Sequence, residues 1–267
     1  MIRIGLLGIS GRMGQALLKA VLDCPEAVLS GGVARPGSPD VGRALMALDG
    51  TPLDLCISDD ASALFAQSDV VIDFTAPKAS LTHARLAATH KTPLVVGSTG
   101  FDPDQQAAMD QATAYIALLQ AANFSLGVNL LHSLVRQAAQ ALGPEFDIEI
   151  LEMHHRHKAD APSGTALALG EAAASGRGID LASHSDRVRD GITGPRTEGH
   201  IGFATLRGGD VAGEHAVLFA GAGERITLSH QASDRMVFAR GAVKAALWLV
   251  GKKAGQYDMM DVLGLKA

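Results

Sequence analysis

Short apolar runs alternate with stretches of helical periodicity from the start of the chain to about Leu119. This order of strand, helix, strand is typical of a parallel sheet whose strands are joined by crossover helices. We predict strands at Ile2–Leu7, Val28–Val33, Leu53–Ile57, Val70–Phe74, Leu94–Val96 and Tyr115–Leu119, and helices at Arg12–Leu22, Pro77–Thr89 and Pro103–Ala114. Because such crossovers are right-handed and both sheet faces must be covered, we expect an α/β fold with a doubly wound, Rossmann-type domain.

The pattern changes after Asn123, where a second domain is predicted to begin. It predicts a long helix at Ser125–Leu142, strands at Asp147–Met153, Ile201–Leu206, His215–Phe219 and Arg225–Ser229, a long polar loop at Gly176–Gly199, and a last helix from Arg235 through Trp248. That helix is expected to pack on the first domain. We therefore predict a dinucleotide-binding domain of residues 1–125 and 235–267, and an α+β domain with a mixed sheet over residues 126–234.

Composition narrows the functional classes. The chain has 267 residues, of which 47% are hydrophobic and 19% charged, so it can bury a sizeable core. The net charge of -5 and an aromatic content of 4% argue against nucleic-acid or anionic-membrane partners. Cys24 and Cys56 form no C-x-x-C pair, and no apolar stretch approaches the ~18 residues of a membrane span. No leader pattern is seen at Met1, so we expect a cytoplasmic protein.

A glycine-rich segment, GISGRMG at Gly8–Gly14, lies between the first strand and the first helix. Glycines permit a tight turn there, and the helix N-terminus offers N–H groups and a positive dipole end to a pyrophosphate. The alternative is a purely structural turn, because a chain with 30 glycines produces such spacings by chance. The candidate cofactor-binding residues in this segment are Gly8, Ile9, Ser10, Gly11, Arg12 and Met13.

The end of the second strand bears on the choice of cofactor. Dinucleotide folds often place an acidic residue there to bind the ribose hydroxyls, but this chain has Ala34 followed by Arg35. A small residue beside a guanidinium admits a 2′-phosphate and pairs with it. We therefore expect NADPH to be accepted at least as well as NADH.

Later strand ends supply further candidates for cofactor binding. Ligands of such sheets bind at the carboxyl ends of the strands. The small and hydroxyl residues Gly97, Ser98 and Thr99 suit a nicotinamide ribose and carboxamide, although Gly97 is equally compatible with a plain turn. The segment where the two domains meet in sequence is expected to flank the nicotinamide ring, and it contains Ala121, Ala122, Asn123 and Phe124.

A histidine cluster follows the first strand of the second domain, in the sequence EMHHRHK at Glu152–Lys158. If the strand persists, His155 and His157 lie on one face and His154 on the other. A zinc site is one interpretation, but no second ligand motif accompanies the cluster, so we expect no metal. Acid–base chemistry on an anion is the better interpretation, because imidazole titrates near pH ~6.5 and Lys158 adds a positive charge.

A candidate anion site comes directly afterwards. Ser163 is a suitable N-cap for an apolar helix over Ala166–Ala174, and the N–H groups of Gly164 and Thr165 suit a carboxylate. The alternative is a solvated basic strand end followed by an ordinary capped helix.

The segment Glu152–Ala166, EMHHRHKADAPSGTA, closely resembles the E-x-H-H-x-x-K-x-D-x-P-S-G-T-A signature of the 4-hydroxy-tetrahydrodipicolinate reductase family, also called dihydrodipicolinate reductases. The resemblance extends over essentially the whole chain. Other segments that resemble markers of this family are Gly8–Gly14, Asp73–Thr75, Gly97–Gly100, Asn123–Ser125, Ile201–Phe203, Arg207, Gly209–Asp210 and Gly213–His215.

The resemblance implies an NAD(P)H-dependent oxidoreductase of lysine and diaminopimelate biosynthesis. Such an enzyme delivers a hydride to ring carbon 4 of a cyclic α,β-unsaturated imine dicarboxylate, and the resulting enamine takes a proton at the neighbouring carbon. Carried over by position, His154 is the proton donor, Lys158 is its partner, and His155, Gly164 and Thr165 hold the substrate carboxylates. The resemblance also implies that the second domain binds substrate and that its sheet builds a homotetramer.

One departure and two rival functions remain open. Many bacterial members of the family carry Glu where this chain has Ala34, and Ser98 stands where Thr is frequent. The rivals are a paralogous reductase of another imine or enone dicarboxylate and a non-catalytic nucleotide-sensing module. A sensing module would not need a proton donor beside an anion site, so the histidine cluster argues against it.

Overall fold

A computed structural model describes residues 1–266, which form alternating strands and helices. The strands are β1 (Ile2–Leu7), β2 (Ala27–Val33), β3 (Ala44–Met46), β4 (Pro52–Ser58), β5 (Val70–Asp73), β6 (Leu94–Val96), β7 (Ala117–Gln120), β8 (Asp147–His154), β9 (Ser185–Asp186), β10 (Ile201–Arg207), β11 (Gly213–Gly221), β12 (Glu224–Ala232) and β13 (Gly255–Tyr257). The helices are α1 (Arg12–Leu22), α2 (Ala61–Gln67), α3 (Pro77–His90), α4 (Pro103–Ala112), α5 (Leu126–Leu142), α6 (Gly164–Arg177), α7 (Met236–Leu249) and α8 (Met259–Leu263).

The chain divides into two compact units. Unit 1 consists of Met1–Leu126 together with the chain from Met236 onward, and unit 2 consists of Gly127–Arg235. No helix in the described part of the chain is both long and apolar enough to cross a membrane.

Unit 1 is built on an eight-stranded sheet of order β13-β7-β6-β5-β1-β2-β4-β3. Every neighbouring pair is parallel except β3 with β4. Ile4 and Leu6 belong to a core shared with α1 and α7, whereas Leu7 belongs to a second core shared with α2, α3 and α4. Because successive side chains of a strand point to opposite faces, the two cores cover the two faces of the sheet, and the predicted doubly wound fold is confirmed.

Unit 2 is built on a mixed five-stranded sheet of order β12-β11-β8-β10-β9, also as predicted. β10 runs parallel to β8, and β11 runs antiparallel to it. Ile148 and Ile150 of β8 are buried in one core with Val135 of α5 and Leu169 of α6. One face of this sheet is therefore covered by helices of the same unit.

Several predicted boundaries are wrong. β7 starts at Ala117 rather than at Tyr115, whose side chain is 69% exposed. The predicted loop from Gly176 actually starts after Arg177, and its Ser185–Asp186 pairs with β10. The predicted helix from Pro103 ends at Ala112. The sequence analysis also missed five short elements, β3, α2, β9, β13 and α8.

Candidate functional site

The glycine-rich turn after β1 is held by backbone hydrogen bonds to the end of β2. The N–H groups of Gly8 and Ile9 both donate to the carbonyl of Val33, at 2.9 and 3.1 Å. A Cβ at Gly14 would lie 2.2 Å from the carbonyl oxygen of Gly8, so close packing demands glycine there. α1 begins at Arg12, and the first-turn N–H groups of such a helix suit a phosphate.

A cavity of about 1210 Å³ opens beside this turn in unit 1. Its lining includes five residues predicted from the sequence to bind a cofactor, namely Gly8, Ser10, Gly11, Ala34 and Arg35. Arg12 and Met13 do not line it, and the side chain of Ile9 is buried. The structure therefore brings together the glycine-rich turn and the end of β2, as a dinucleotide site requires.

A histidine–carboxylate hydrogen bond that the sequence analysis missed also lies beside this cavity. The ring of His83, which lines the cavity, donates through Nδ1 to Oδ2 of Asp73 at 2.8 Å, and Asp73 is fully buried. The backbone N–H and the hydroxyl of Thr75 donate to the other carboxylate oxygen, at 2.9 and 2.6 Å. The sequence did carry a signal for this contact, because Asp73 ends the apolar strand β5 and a buried carboxylate requires hydrogen-bond donors.

The other predicted cofactor residues follow β6 and β7 at the same carboxyl edge of the sheet, but they do not line the cavity. Gly97 donates its N–H to the Asp73 carbonyl at 2.8 Å, and Ser98 is buried against Ser80. Phe124 is buried with its ring tilted against Phe74 at 5.2 Å. Thr99, Ala121, Ala122 and Asn123 lie in the segments between these elements.

In unit 2, β8 ends at His154 and positions its imidazole. The predicted alternation of faces does not continue to His157, because residues 155–157 lie outside the strand. Glu152 and His154 share the buried face of β8, and Nδ1 of His154 donates to Oε2 of Glu152 at 2.6 Å. The two side chains form an acid–imidazole pair at the end of a core strand.

Glu152 is 1% exposed, and three further donors surround its carboxylate. Arg207 donates Nη1 to Oε2 at 2.8 Å and Nη2 to Oε1 at 2.9 Å, and the backbone N–H of Ser163 donates to Oε1 at 3.0 Å. Burial raises the pKa of Glu152, but the hydrogen bonds from Arg207, His154 and Ser163 outweigh it and hold the pKa below its usual value. Glu152 is therefore an anion at neutral pH.

A second histidine lies beside this pair. The ring of His215 meets the ring of His154 edge-on at 5.1 Å, and its Nε2 lies 3.1 Å from the Ser163 hydroxyl. Burial, together with the neighbouring His154, lowers the pKa of His215 to about 4. His215 is therefore neutral at physiological pH.

The predicted carboxylate site is the start of α6. Ser163 is its N-cap as predicted, since its hydroxyl accepts the N–H of Ala166 at 3.2 Å, and Gly164 and Thr165 begin the helix. The same Ser163 donates its own N–H to Glu152, so the helix start and the His154 imidazole share one carboxylate. The structure thus brings the predicted proton donor and the predicted anion site together.

The basic residues after β8 lie in a turn. Lys158 donates its N–H to the carbonyl of His155 at 3.1 Å, and its ammonium lies 2.9 Å from Asp160. His155 lies with Nε2 3.3 Å from the Arg235 guanidinium, and burial and the charge of Arg235 lower its pKa. In residues 1–266, no group of three or more His, Cys, Asp or Glu side chains is arranged to hold a metal ion.

Comparison with known families agrees with this geometry. A family model described as dihydrodipicolinate reductase, N-terminus, matches residues 2–124, and one described as dihydrodipicolinate reductase, C-terminus, matches residues 127–263. The chain belongs to the dihydrodipicolinate reductase family. The resemblance seen in the sequence is thereby confirmed.

Individual relatives agree over the full chain. A 4-hydroxy-tetrahydrodipicolinate reductase of Ruegeria sp. (strain TM1040) is 56% identical over 98% of both chains. One of Allorhizobium ampelinum is 55% identical over 99% of both chains. A dipicolinate-bound dihydrodipicolinate reductase from Paenisporosarcina sp. TG-14 has the same fold, with a TM-score of 0.79 and 24% identity over 98% of both chains.

The lowered pKa of His215 predicts a pH dependence of stability. Between pH 6.5 and about 4 the unfolded chain binds a proton at this histidine that the folded chain does not. Stability from this source is therefore complete above pH 6.5 and is lost as the pH falls toward 4, by up to about 3 kcal/mol. In His215→Gln this loss should be absent, as measured by hydrogen exchange of unit 2 amides between pH 7 and 4.

His157→Gln is the matched control, because it removes an exposed histidine of the same unit. Its stability should follow the wild-type pH dependence. Equal pH dependence in wild type and His215→Gln would contradict the assignment of a neutral buried histidine.

Proposed function

We propose that this chain is an NAD(P)H-dependent oxidoreductase with the activity of a 4-hydroxy-tetrahydrodipicolinate reductase, in lysine and diaminopimelate biosynthesis. Its substrate would be a cyclic unsaturated imine dicarboxylate, and its product tetrahydrodipicolinate. The relatives that carry this name align over nearly the whole chain. The residues 1–125 and 235–267 would form the cofactor domain, and residues 126–234 the substrate domain.

One observation carries the proposal. The carboxylate of Glu152 accepts Nδ1–H of His154 at 2.6 Å and the N–H of Ser163 at 3.0 Å, which ties an acid–base group to a helix N-terminus. A dicarboxylate substrate that takes a proton at a ring carbon needs both features, a site that binds an anion and an acid next to it. A nucleotide-sensing module would have no use for this pair.

The roles follow from this arrangement. His154 would donate a proton through Nε2 to the ring carbon next to the reduced one, and the positive charge of Lys158 would support it. Ser163, Gly164 and Thr165 at the start of α6 would bind one carboxylate of the substrate, with His155 beside them. Protonation completes a reduction that would otherwise leave an unstable enamine.

The unit 1 cavity fits a dinucleotide. The close approach at Gly14 keeps side chains away from the phosphate site, and Gly8, Ser10 and Gly11 line the cavity next to it. Members of this family use NAD(P)H, which when bound supplies the hydride. Ala34 and Arg35 lie where the ribose corner of such a site is expected, and no acidic residue follows β2 directly. We infer that NADPH is accepted at least as well as NADH.

A homotetramer is supported by the outer face of the unit 2 sheet. Leu151 of β8 lies opposite Ala204 of β10 and Ala216 of β11, on the face away from the helices. Leu151 and the neighbouring Leu206 are 37% and 47% exposed. An exposed apolar sheet face is typical of a surface that binds another copy of the chain.

A cytoplasmic location is the remaining part of the proposal. Cys24 and Cys56 are both free thiols, and disulfides are rare in reducing compartments. Fractionation of cells that produce the chain would test the location directly.

A coupled assay tests the function. Pyruvate, aspartate semialdehyde and the synthase of the preceding step supply the substrate, and oxidation of NADPH or NADH is followed at 340 nm. We expect oxidation that depends on every component. Oxidation that requires a different imine or enone dicarboxylate would favour the paralogous reductase, and nucleotide binding without any oxidation would favour the sensing module.

If His154 supplies the proton, His154→Gln should lower kcat by roughly 10²–10⁴, while the Kd for NADPH barely changes. Lys158→Ala should lose both kcat and substrate affinity. Steady-state kinetics and calorimetry provide the two readouts. The exposed His157 is the matched control, and His157→Gln should stay near the wild-type rate. Near-normal turnover of His154→Gln would remove this residue from the chemistry.

Ala34→Glu should shift the cofactor preference toward NADH. A carboxylate there repels a 2′-phosphate and accepts hydrogen bonds from ribose hydroxyls, so the ratio of NADPH to NADH affinity should fall roughly tenfold. Calorimetric titration with each nucleotide measures this ratio. Ala44→Glu places the same side chain on an exposed strand outside the cavity, and it should leave the ratio unchanged. An unchanged ratio in Ala34→Glu would show that this corner does not set the preference.

Leu151→Asp should dissociate the tetramer, because it places a charge among the exposed apolar side chains of this sheet face. Light scattering after size exclusion would then report a smaller species than for the wild type. Leu48→Asp changes a 53% exposed leucine of unit 1 and should leave the mass unchanged. A tetramer that survives Leu151→Asp would place the subunit interface elsewhere.

A further inference from the structure

The carboxylate of Glu152 has more partners than a structural ion pair of the same strand requires. Glu149, also on β8, is paired with Arg189 and Arg196 on the other face, and its side chain is 31% exposed. Glu152 is 1% exposed and is bound by a histidine, an arginine and a backbone N–H. Burying a carboxylate costs several kcal/mol unless hydrogen-bond partners compensate it. Each of these contacts therefore offsets part of the cost of burying Glu152.

The bond to His154 decides which ring nitrogen is free to act. A carboxylate only accepts hydrogen bonds, so Nδ1 of His154 carries a hydrogen whenever Glu152 is ionised. Proton uptake and release are then confined to Nε2. A carboxylate in this position fixes both the tautomer and the ring orientation of a histidine.

Nε2 is the ring nitrogen of His154 that Glu152 does not bind. Among the described residues, the His154 ring is hydrogen-bonded to Glu152, and this bond uses Nδ1. Gly213 of β11 lies against Nε2, where a Cβ would come within 3.1 Å. A side chain larger than that of glycine would crowd the nitrogen that is to face the substrate.

The same carboxylate also fixes the anion site. Arg207 binds both oxygens of Glu152, and its Nη2 also donates to the carbonyl of Asp160 at 2.7 Å, in the segment that leads to Ser163. Ser163 is bound to Oε1 and caps α6. A shift of the Glu152 carboxylate would therefore move the imidazole and the start of α6 together.

We propose that Glu152, clamped by Arg207, is a positioning residue that holds the proton donor His154 and the carboxylate-binding start of α6 in a fixed relation. This inference rests on the function proposed above. Glu152 acts through His154 and Ser163 and does not touch the substrate itself. Arg207 supports it by neutralising and orienting its carboxylate.

Several charged or titratable groups surround the His154 imidazole. Glu152 of β8 is the anion, while Arg207 of β10 and Lys158 of the following turn are cations. His215 of β11 faces the ring directly, and His155 and His230 lie in the same electrostatic environment. Asp160 is a second anion nearby, but it is paired with Lys158 at 2.9 Å, so loss of the Glu152 charge would leave the imidazole mainly among basic groups.

The test compares Glu152→Gln, Glu152→Asp and the control Glu149→Gln in the full-length chain. In Glu152→Gln we expect kcat to fall roughly 100-fold with a smaller change in KM, because the remaining amide oxygen still accepts from Ser163. The rate should be lost at lower pH than in wild type, because the acid must be protonated and has lost its anionic partner. Glu152→Asp keeps the charge, so its pH profile should stay near that of wild type while kcat falls less.

Glu149→Gln removes an arginine-paired carboxylate from the same strand but outside the site, so kcat and its pH profile should stay within about twofold of wild type. A merely structural role of Glu152 would lower Tm in Glu152→Gln without a shift of its pH profile. That result would overturn the proposal.

A measurement without substrate separates this inference from the proposed function. Nitrogen-15 NMR of the wild-type His154 ring should show the hydrogen on Nδ1 in the neutral form, and the ring in Glu152→Gln should titrate at lower pH. This outcome would support the positioning role even if the coupled assay found a different substrate. A neutral ring with its hydrogen on Nε2 in wild type would overturn the proposal even if Glu152→Gln failed to fold.

Discussion

A carboxylate buried at the end of a core strand must be compensated by hydrogen bonds, and the groups that compensate Glu152 are the groups that build the site in unit 2. His154, Arg207 and the N–H of Ser163 come from three different elements of the chain. Each donates to the same buried charge, so the loss of any one would leave that charge less fully compensated. The stability requirement of the fold and the geometric requirement of the proposed chemistry are therefore met by one set of contacts.

Unit 1 depends on a different constraint, the close approach of backbone segments at the carboxyl edge of a parallel sheet. The turn after β1 is tied to the end of β2 through Val33, and the first turn of α1 passes so near Gly8 that only glycine fits at Gly14. The end of β5 contributes a buried anion, Asp73, compensated by Thr75 and His83. The glycine-rich turn and His83, a partner of this buried carboxylate, thus line the cavity at this edge of the sheet.

Local features of the sequence were sufficient to predict much of this arrangement. The turn of unit 1, the N-cap Ser163 and the placement of His154 at the end of β8 each depend on residues that are close in sequence. Arg207 is 55 residues from Glu152, and His215 is 52 residues from Ser163, so their contacts depend on how β10 and β11 pair with β8. A signal was nevertheless present, since Glu152 follows Ile148 and Ile150 at every second position and thus had to be buried. The missed elements are short. In α2 the buried residues are Leu64 and Phe65, which give only a weak helical pattern in the sequence.

The two neighbouring histidines of unit 2 differ in their partners, and this difference separates their roles. His154 has an anion at Nδ1, whereas Nε2 of His215 lies against the neutral hydroxyl of Ser163. Two imidazolium rings 5.1 Å apart would repel each other, so the pair accommodates one positive charge far more readily than two. Burial keeps His215 neutral at physiological pH, with a pKa of about 4, so it adds no positive charge beside His154. The net charge of -5 gave no sign of this site, because the site depends on where single charges are compensated rather than on their sum.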